Sequence, residues 1–534
     1  MHVGFFTHMD DKVGIVKIIT NFIWSFSTEF SLISNRKNMK LPKSISNWIS
    51  ITGFIIAVNS FILIIVSFVQ DLVTAHQNPY TGIFTYIILP AIMVIGLVMI
   101  PIGMLINRKK THDLEKRWPV LDMNVPKQRR KLVMVSVFTF LFLIVSAMGS
   151  YEAFNYTESV EFCGKLCHNV MEPEYVTYLH SPHARVACVE CHVGEGAGWY
   201  VRSKLSGLYQ VYSVIFHKYP QPIETPIQNL RPARETCERC HWPQKFYSRK
   251  LRSQRVYVTD SLNTEFNYSL LMKIGPNYSP LGLVEGIHWH INKDMRIEYV
   301  ASAKDRETIP WVKFTNLKTG EVQIFEDPDN KLDQKAIDTL EHRVMDCMDC
   351  HNRPSHAYKS PMVYVDNAMI SGDVPKELPF IKQVAMNVLK GQFTNKDSAF
   401  MYIRDSITNF YKTGYPSIYQ TKKPLIDKAI KGIQEAFSLN VFPFMRASSN
   451  KYLNHIGHLE SDGCFRCHSD RHISEKGKVI SKDCNMCHSI IAQGPTGKVK
   501  YSVVDSVMEF QHPVDIKTKW KEYFCTECHR ELYP

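Results

Sequence analysis

Residues 163–192 contain Cys163-Gly-Lys-Leu-Cys167-His168-Asn-Val-Met171-Glu-Pro-Glu174 and, after a short run, Ser181-Pro-His183-Ala-Arg-Val-Ala-Cys188-Val-Glu190-Cys191-His192. Two cysteines followed at once by a histidine are the attachment signal of c-type haem. The sulfurs form thioethers with the porphyrin vinyl groups, and the histidine ligates the iron. The signal occurs twice within this one stretch.

It also recurs downstream. All 14 cysteines fall in seven such motifs: Cys163/Cys167/His168, Cys188/Cys191/His192, Cys237/Cys240/His241, Cys347/Cys350/His351, Cys464/Cys467/His468, Cys484/Cys487/His488 and Cys525/Cys528/His529. Six have two residues between the cysteines and the first has three. Zinc ribbons and disulfide frameworks do not require a histidine after every pair. The expected cofactors are seven covalently bound c-type haems. No cysteine is left for a disulfide or a thiol nucleophile.

Upstream, three stretches without charged residues follow one another: Trp48–Gln70, Ile83–Ile106 (with Pro90 and Pro101) and Leu132–Ser150. Each is long enough to cross a bilayer. Nine Lys/Arg lie in 107–131 and six before the first span, against none in 71–82. Lys/Arg mark the cytoplasmic side. The N-terminus is therefore expected in the cytoplasm and the chain after the third span outside, in the periplasm, across a bacterial inner membrane. The spans hold no histidine, and His76 and His112 lie in the connections, so no membrane-embedded b-type haem is expected. Before the first span, Ile15, Ile19, Phe22, Phe26 and Phe30 repeat at helical spacing. This reads either as an interfacial helix or as sequence preceding an alternative start at Met39.

The formal charge of +12 does not indicate nucleic acid. The first 131 residues carry 15 Lys/Arg against 7 Asp/Glu, and the remainder 48 against 44. Haem propionates would make the second part acidic, so no nucleic-acid partner is expected.

After residue 150 there are 18 histidines, of which seven belong to motifs. The remaining eleven supply distal ligands: His183, His290, His356, His458, His472 and His512 are expected, with His288 and His455 as alternates to their near neighbours. Two axial histidines close an iron to substrate, which argues against a terminal reductase. Residues 250–330 alternate as strands in Arg255-Val-Tyr-Val, Met295–Val300 and Val322–Phe325, separated by turn signals. His288-Trp-His290 also alternates as a strand would, placing two imidazoles on one face. Residues 375–440 read as helices, with Ile381, Val384, Ala385 and Leu389 at helical spacing and Phe400, Tyr402, Phe410 and Tyr411 as core.

The run from Cys163 to Glu174, with Ser181-Pro-His-Ala-Arg and Cys188-Val-Glu-Cys-His, resembles the NapC/NirT family of membrane-anchored quinol dehydrogenases. The extra pair of spans and the seven motifs make the chain similar to the larger inner-membrane cytochromes of the ImcH kind. The resemblance implies oxidation of menaquinol from the menaquinone pool beside the first haem. It implies delivery of electrons to periplasmic c-type cytochromes or a periplasmic reductase. It makes Met171 an alternative to His168 as ligand of the first iron, and matches Lys204 to a quinone-site lysine. The family's acid further on is replaced here by Gln210 and Val211, leaving Glu190, and less so Glu195 and Glu172, as proton acceptors. The alternative function is a membrane-tethered haem conduit without its own quinone site, fed by another membrane oxidoreductase.

The expected architecture is a multihaem cytochrome c, mainly α with a small antiparallel β insertion and three N-terminal transmembrane helices. Its segments are a cytoplasmic 1–47, a membrane anchor at 48–150, a NapC/NirT-like 151–249 with haems 1–3, and a β-rich insertion at 250–345. Haem 4 and a helical region follow at 346–450, and haems 5–7 at 451–534.

Overall fold

The computed structural model describes residues 47–73, 88–110, 122–166, 168–227, 231–242, 249–275, 286–503 and 507–530. The apolar pattern at Ile15–Phe30, Met39, His76, His112 and Cys167 lie outside the described residues, as do the side chains of His168 and Asn169. The chain divides into two compact units, residues 1–157 and 158–534.

The first unit contains α1 (Trp48–Val73), α2 (Leu89–Lys110) and most of α3 (Pro126–Glu158). All three are long and apolar enough to cross a membrane. Glycines bring α1 and α2 together: a Cβ at Gly53 would sit 2.6 Å from the Gly96 carbonyl oxygen, and one at Gly96 2.7 Å from that of Gly53. Close backbone approach through small residues is how apolar helices associate in lipid. Ser50 Oγ donates to the Ile100 carbonyl at 2.9 Å across the same seam. α3 has no buried residue and outruns the expected span at both ends.

The second unit begins where Ser159 interrupts the helix. Its hydroxyl accepts the Phe162 N–H at 3.1 Å and caps α4 (Val160–Lys165). Then come α5 (His168–Leu179), α6 (Cys188–His192), α7 (Ala197–Ile215) and α8 (Ala233–Cys237). Gly164, inside the wider first motif, lies under the Tyr175 ring, which a Cβ there would strike. Short helices also carry motif cysteines at α9 (Cys347–Cys350) and, at the end of the chain, α14 (Cys525–His529). One helical turn puts cysteines three apart on one face.

Two antiparallel sheets follow the expected insertion but do not stop at residue 345. One runs β1-β2-β8-β9, with β1 Arg249–Tyr257, β2 Glu265–Lys273, β8 His488–Pro495 and β9 Lys500–Tyr501. The other runs β6-β3-β4-β5-β7, with β3 Met295–Val300, β4 Trp311–Asn316, β5 Val322–Glu326, β6 Arg343–Val344 and β7 Ile473–Ser474. The C-terminal segment thus completes both sheets. His288-Trp-His290 is not a strand: Ile287–Ile291 forms a 3-10 helix entering β3.

Helices α10 (Pro361–Ile370), α11 (Ile381–Val388), α12 (Lys396–Gly414) and α13 (Lys423–Ser438) build the largest apolar core, around Leu378, Ile381, Ile403, Ile407, Tyr411 and Ile433. It contains no haem motif. Phe400 and Phe410 pack on it, whereas Tyr402 is about half exposed. The β1–β2 turn plugs into this bundle: the Asn263 amide donates to the carbonyls of Lys376 and Leu378.

Candidate haem centres

Six motif histidines face a second imidazole. Ring centroids are 6.3 Å apart for His192–His356, 5.8 Å for His241–His183 and 6.4 Å for His351–His288. They are 5.7 Å apart for His468–His290, 6.2 Å for His488–His458 and 6.1 Å for His529–His512. A metal ion roughly 2 Å from one nitrogen of each ring fills a gap of this size.

The outer nitrogens support the same arrangement. A ligating imidazole holds its other N–H on a carbonyl or carboxylate, which fixes the tautomer. Nδ1 donates to the carbonyl of Pro354 from His183 (3.1 Å), Ile287 from His290 (2.7 Å) and Glu174 from His356 (2.9 Å). It donates likewise to Ser481 from His468 (3.0 Å), and His512 Nδ1 sits 2.8 Å from the carbonyl and 3.2 Å from the N–H of Val514. In each case the contact is made by Nδ1, and none of these hydrogen bonds uses Nε2. Burial lowers the His192 and His288 pKa values to about 4, with the opposing histidine adding to the effect. Both rings are neutral and able to ligate.

Three other histidines spend Nε2 on protein atoms. His472 engages the Ile309 carbonyl at 2.7 Å, His342 that of Ile337 at 2.8 Å, and His455 the Glu307 carboxylate at 2.8 Å. His472, expected as a distal ligand, is 1% exposed and holds its Nε2 on that carbonyl. The strand reading that made His288 an alternate to His290 on one face is corrected by the 3-10 helix. Two residues apart on a strand, they would share a face. On a 3-10 helix of three residues per turn they point some 120° apart, and each meets a different motif.

Cysteines of successive motifs also adjoin. The Cys163 and Cys188 side chains hydrogen-bond to each other, as do those of Cys237 and Cys347. Burial raises the Cys191 thiol, with Cys240 among the neighbours adding to it. Burial pushes Cys350 to about 12, with Cys464 beside it, and Cys487 to about 11, again with Cys464 beside it. Cys525 is raised by burial with a contribution from Cys484. The seven motifs are thus neighbours in space in the order in which they occur along the chain.

Cys528 stands apart from this pattern. The sequence treats it as equivalent to the other attachment cysteines, but it is exposed on α14, and the thiol it acts on is Cys525 of its own motif. Cys191, Cys240 and Cys484 are exposed as well. In the second, third and last motifs the exposed cysteine is the second of the pair, next to the histidine, and its partner is half-buried. The helical turn that aligns the two sulfurs leaves the second one at the rim of the site.

A largely apolar cavity of about 340 Å³ lies between Cys464, Cys467, His468, His290, Trp289 and Phe314. Its wall is the β3–β4–β5 face, with Ile297 and Val312. Paired thiols, facing imidazoles and an apolar slot fit covalent haem. The insertion therefore furnishes a pocket for the fifth motif. Asp349, inside the fourth motif, is 2% exposed and is held by the Tyr299 hydroxyl (2.6 Å), Arg343 (2.5 Å) and Arg306 (3.2 Å).

Met171 is half-buried on α5, one turn after His168. Lys204, on α7, lies 3.3 Å from Glu158 and 5.1 Å from the Tyr200 ring centroid. The charges of Lys204 and Glu158 both act on Cys163 of the first motif. Glu190 and Glu195 instead pair with Arg239, inside the third motif, at 3.4 and 2.8 Å, and Glu172 is exposed. The carboxylate beside Lys204 is Glu158, whose only sequence signal is its place just beyond the third span. Along α7, Val201, Leu205, Leu208, Tyr212 and Ile215 expose 41–67% of their surface at helical spacing.

Residues 125–225 match the family model described as NapC/NirT cytochrome c family, N-terminal region. The chain is 41% identical over 492 residues to the cytochrome c-type protein ImcH of Geobacter sulfurreducens, covering 90% of this chain and 95% of that protein. It is 31% identical over 102 residues to the cytochrome c-type protein NrfH of Wolinella succinogenes, covering 18% of this chain and 57% of that one. No solved structure matches the chain.

Proposed function

This chain belongs to the NapC/NirT cytochrome c family, and on that premise we propose that it is a menaquinol dehydrogenase of the bacterial inner membrane. Its N-terminus is cytoplasmic and its second unit periplasmic. It carries seven covalent haems and delivers electrons to periplasmic c-type cytochromes or a periplasmic reductase. His183, His288, His290, His356, His458 and His512 are the distal ligands of the six later motifs, and His168 or Met171 ligates the first iron. With both axial positions filled by protein, the chain is built for electron transfer.

The observation that carries the quinol reading is the Lys204–Glu158 pair beside Cys163. Quinol oxidation releases two electrons and two protons, so the site needs a cation to hold the quinol oxygen and a base to take its proton. Bound haem supplies one-electron redox chemistry next to this pair. Lys204 donates a hydrogen bond to a quinol oxygen, and the Glu158 carboxylate accepts the two protons in turn, passing each to the outer solvent as the two electrons leave one at a time to the haem. The apolar stripe on α7 supports a place in the bilayer surface, where a lipid-borne quinol arrives.

The test is reduction of the purified protein in lipid by a menaquinol analogue with no partner present. Lys204→Ala and Glu158→Gln should each slow it about 10²-fold or more, the usual worth of a positioned acid or base. Reduction by dithionite and the haem spectrum should be unchanged. A wild-type protein that accepts electrons from no quinol would favour a conduit fed by another membrane oxidoreductase.

A further inference from the structure

We infer that Glu174 is a positioning residue that sets the reduction potential of the haem held between His192 and His356. The inference rests on the ligand assignment proposed for the second motif and goes beyond it. The His356 Nδ1–H donates to the Glu174 carbonyl at 2.9 Å, and the carboxylate Oε2 of the same residue lies 3.2 Å from that nitrogen with no hydrogen-bond partner of its own, so its charge acts on the ring at close range. Both come from α5, the helix that starts at the histidine of the first motif. The Glu174 side chain is 15% exposed, and the surface of Oε2 is closed to water.

The other carboxylate oxygen is held separately. The Tyr358 hydroxyl donates to Oε1 at 3.0 Å, and Arg353, stacked 4.0 Å over the Tyr452 ring, lies 4.0 Å away. Burial, with Glu174 next in effect, raises the Tyr358 pKa, so this hydroxyl stays a donor. Tyr358 and Arg353 therefore draw negative charge towards Oε1. The charge left on Oε2 bears on His356.

A carboxylate against the outer N–H makes a ligating imidazole more basic. A more basic axial ligand stabilises the oxidised iron, so the potential falls. Glu174 thus couples the helix carrying the first motif's histidine to the electronics of the second centre, without touching iron or substrate.

The experiment is a spectroelectrochemical titration of the full-length holoprotein in detergent, with electron paramagnetic resonance of the low-spin signals. Glu174→Gln keeps a group for Tyr358 but removes the charge. It should raise one midpoint potential by roughly tenfold in the equilibrium, about 59 mV for one electron. Tyr358→Phe frees charge onto Oε2 and should move the same midpoint down. Shifts in the same direction, or no shift in either variant, would overturn the inference. His356→Met separates the two layers of the argument. If it leaves every low-spin bis-histidine signal in place, the ligand assignment itself fails. If it removes one signal while Glu174→Gln moves no potential, only the role of Glu174 fails.

Discussion

Lys382→Met should destabilise the second unit by about 3–5 kcal/mol, the cost of stripping a buried charge of its partner. Lys382 is 2% exposed and Asp366 5%. Lys382 Nζ lies 2.5 Å from Asp366 Oδ1 and donates to the Met362 carbonyl at 3.1 Å. Asp366 also accepts the Tyr257 N–H at 3.1 Å, so the pair joins α10, α11 and β1. After the substitution one N–H remains for a carboxylate out of water. Burial raises the Asp366 pKa already in the native protein, with Lys382 opposing the rise. The sign of the pH effect follows. A carboxyl with a raised folded-state pKa favours folding below its unfolded value, near ~3.9, and loses that contribution as pH rises through the folded value. The deficit of Lys382→Met should be largest at neutral pH and shrink on acidification. Urea unfolding followed by far-ultraviolet circular dichroism, at several pH values, measures it. Lys382→Met with Asp366→Asn should recover much of the loss, and haem content should not change because this core holds no motif. A single-variant loss below ~1 kcal/mol, or one that grows on acidification, would refute the reasoning.

Pyridine haemochrome and mass spectrometry should find seven covalent haems; four or fewer, or bound zinc, would contradict the reading of the motifs. His288→Ala and His290→Ala should each remove a different low-spin signal and the double variant two, whereas one shared signal would return both imidazoles to one iron. His472→Ala should leave all signals intact and cost about 1–3 kcal/mol, because the Ile309 carbonyl loses its buried partner. Oxidative footprinting should label Leu205 and Leu208 in detergent-free digests but not in nanodiscs, while Tyr501, 74% exposed, is labelled in both; labelled leucines in nanodiscs would take α7 off the membrane.

Covalent attachment can be read from sequence because its chemistry demands adjacent residues: each Cys-x-x-Cys-His carries its own meaning. The membrane helices are equally local, being defined by an unbroken absence of charge. Distal ligation is not local. His356 comes from beyond the fourth motif to face the second, and His183 precedes the second motif yet faces the third. Counting histidines limits the candidates but cannot assign them. At His472 a sequence cannot tell which ring nitrogen the fold engages, and here Nε2 lies on the Ile309 carbonyl. His288 and His290 were misplaced by reading period two where the backbone adopts a turn of three. The exposure of Cys528 is likewise invisible in its motif, because the pattern fixes the spacing of two sulfurs and not what covers them. Glu158 escaped because nothing near it in sequence points to Lys204, 46 positions on; only the fold brings them together.

Strand β2 reaches its partner β8 across more than 200 residues of chain. During synthesis, one edge of the β1–β2 hairpin has its hydrogen-bonding groups unmatched until the sixth motif has emerged. Such an edge invites pairing with another copy. The far side is guarded, because β1 carries Arg249, Lys250, Arg252 and Arg255; β2 is charged only at its two ends, at Glu265 and Lys273. The hairpin turn plugged into the helical bundle holds the strand in place through this interval. A chain ending before residue 488 would keep its first four or five attachment sites and still expose an adhesive edge for good. Shortening the chain from the C-terminus therefore removes the seventh attachment site, Cys525/Cys528/His529, first, and then, at β8, the cover of the β2 edge.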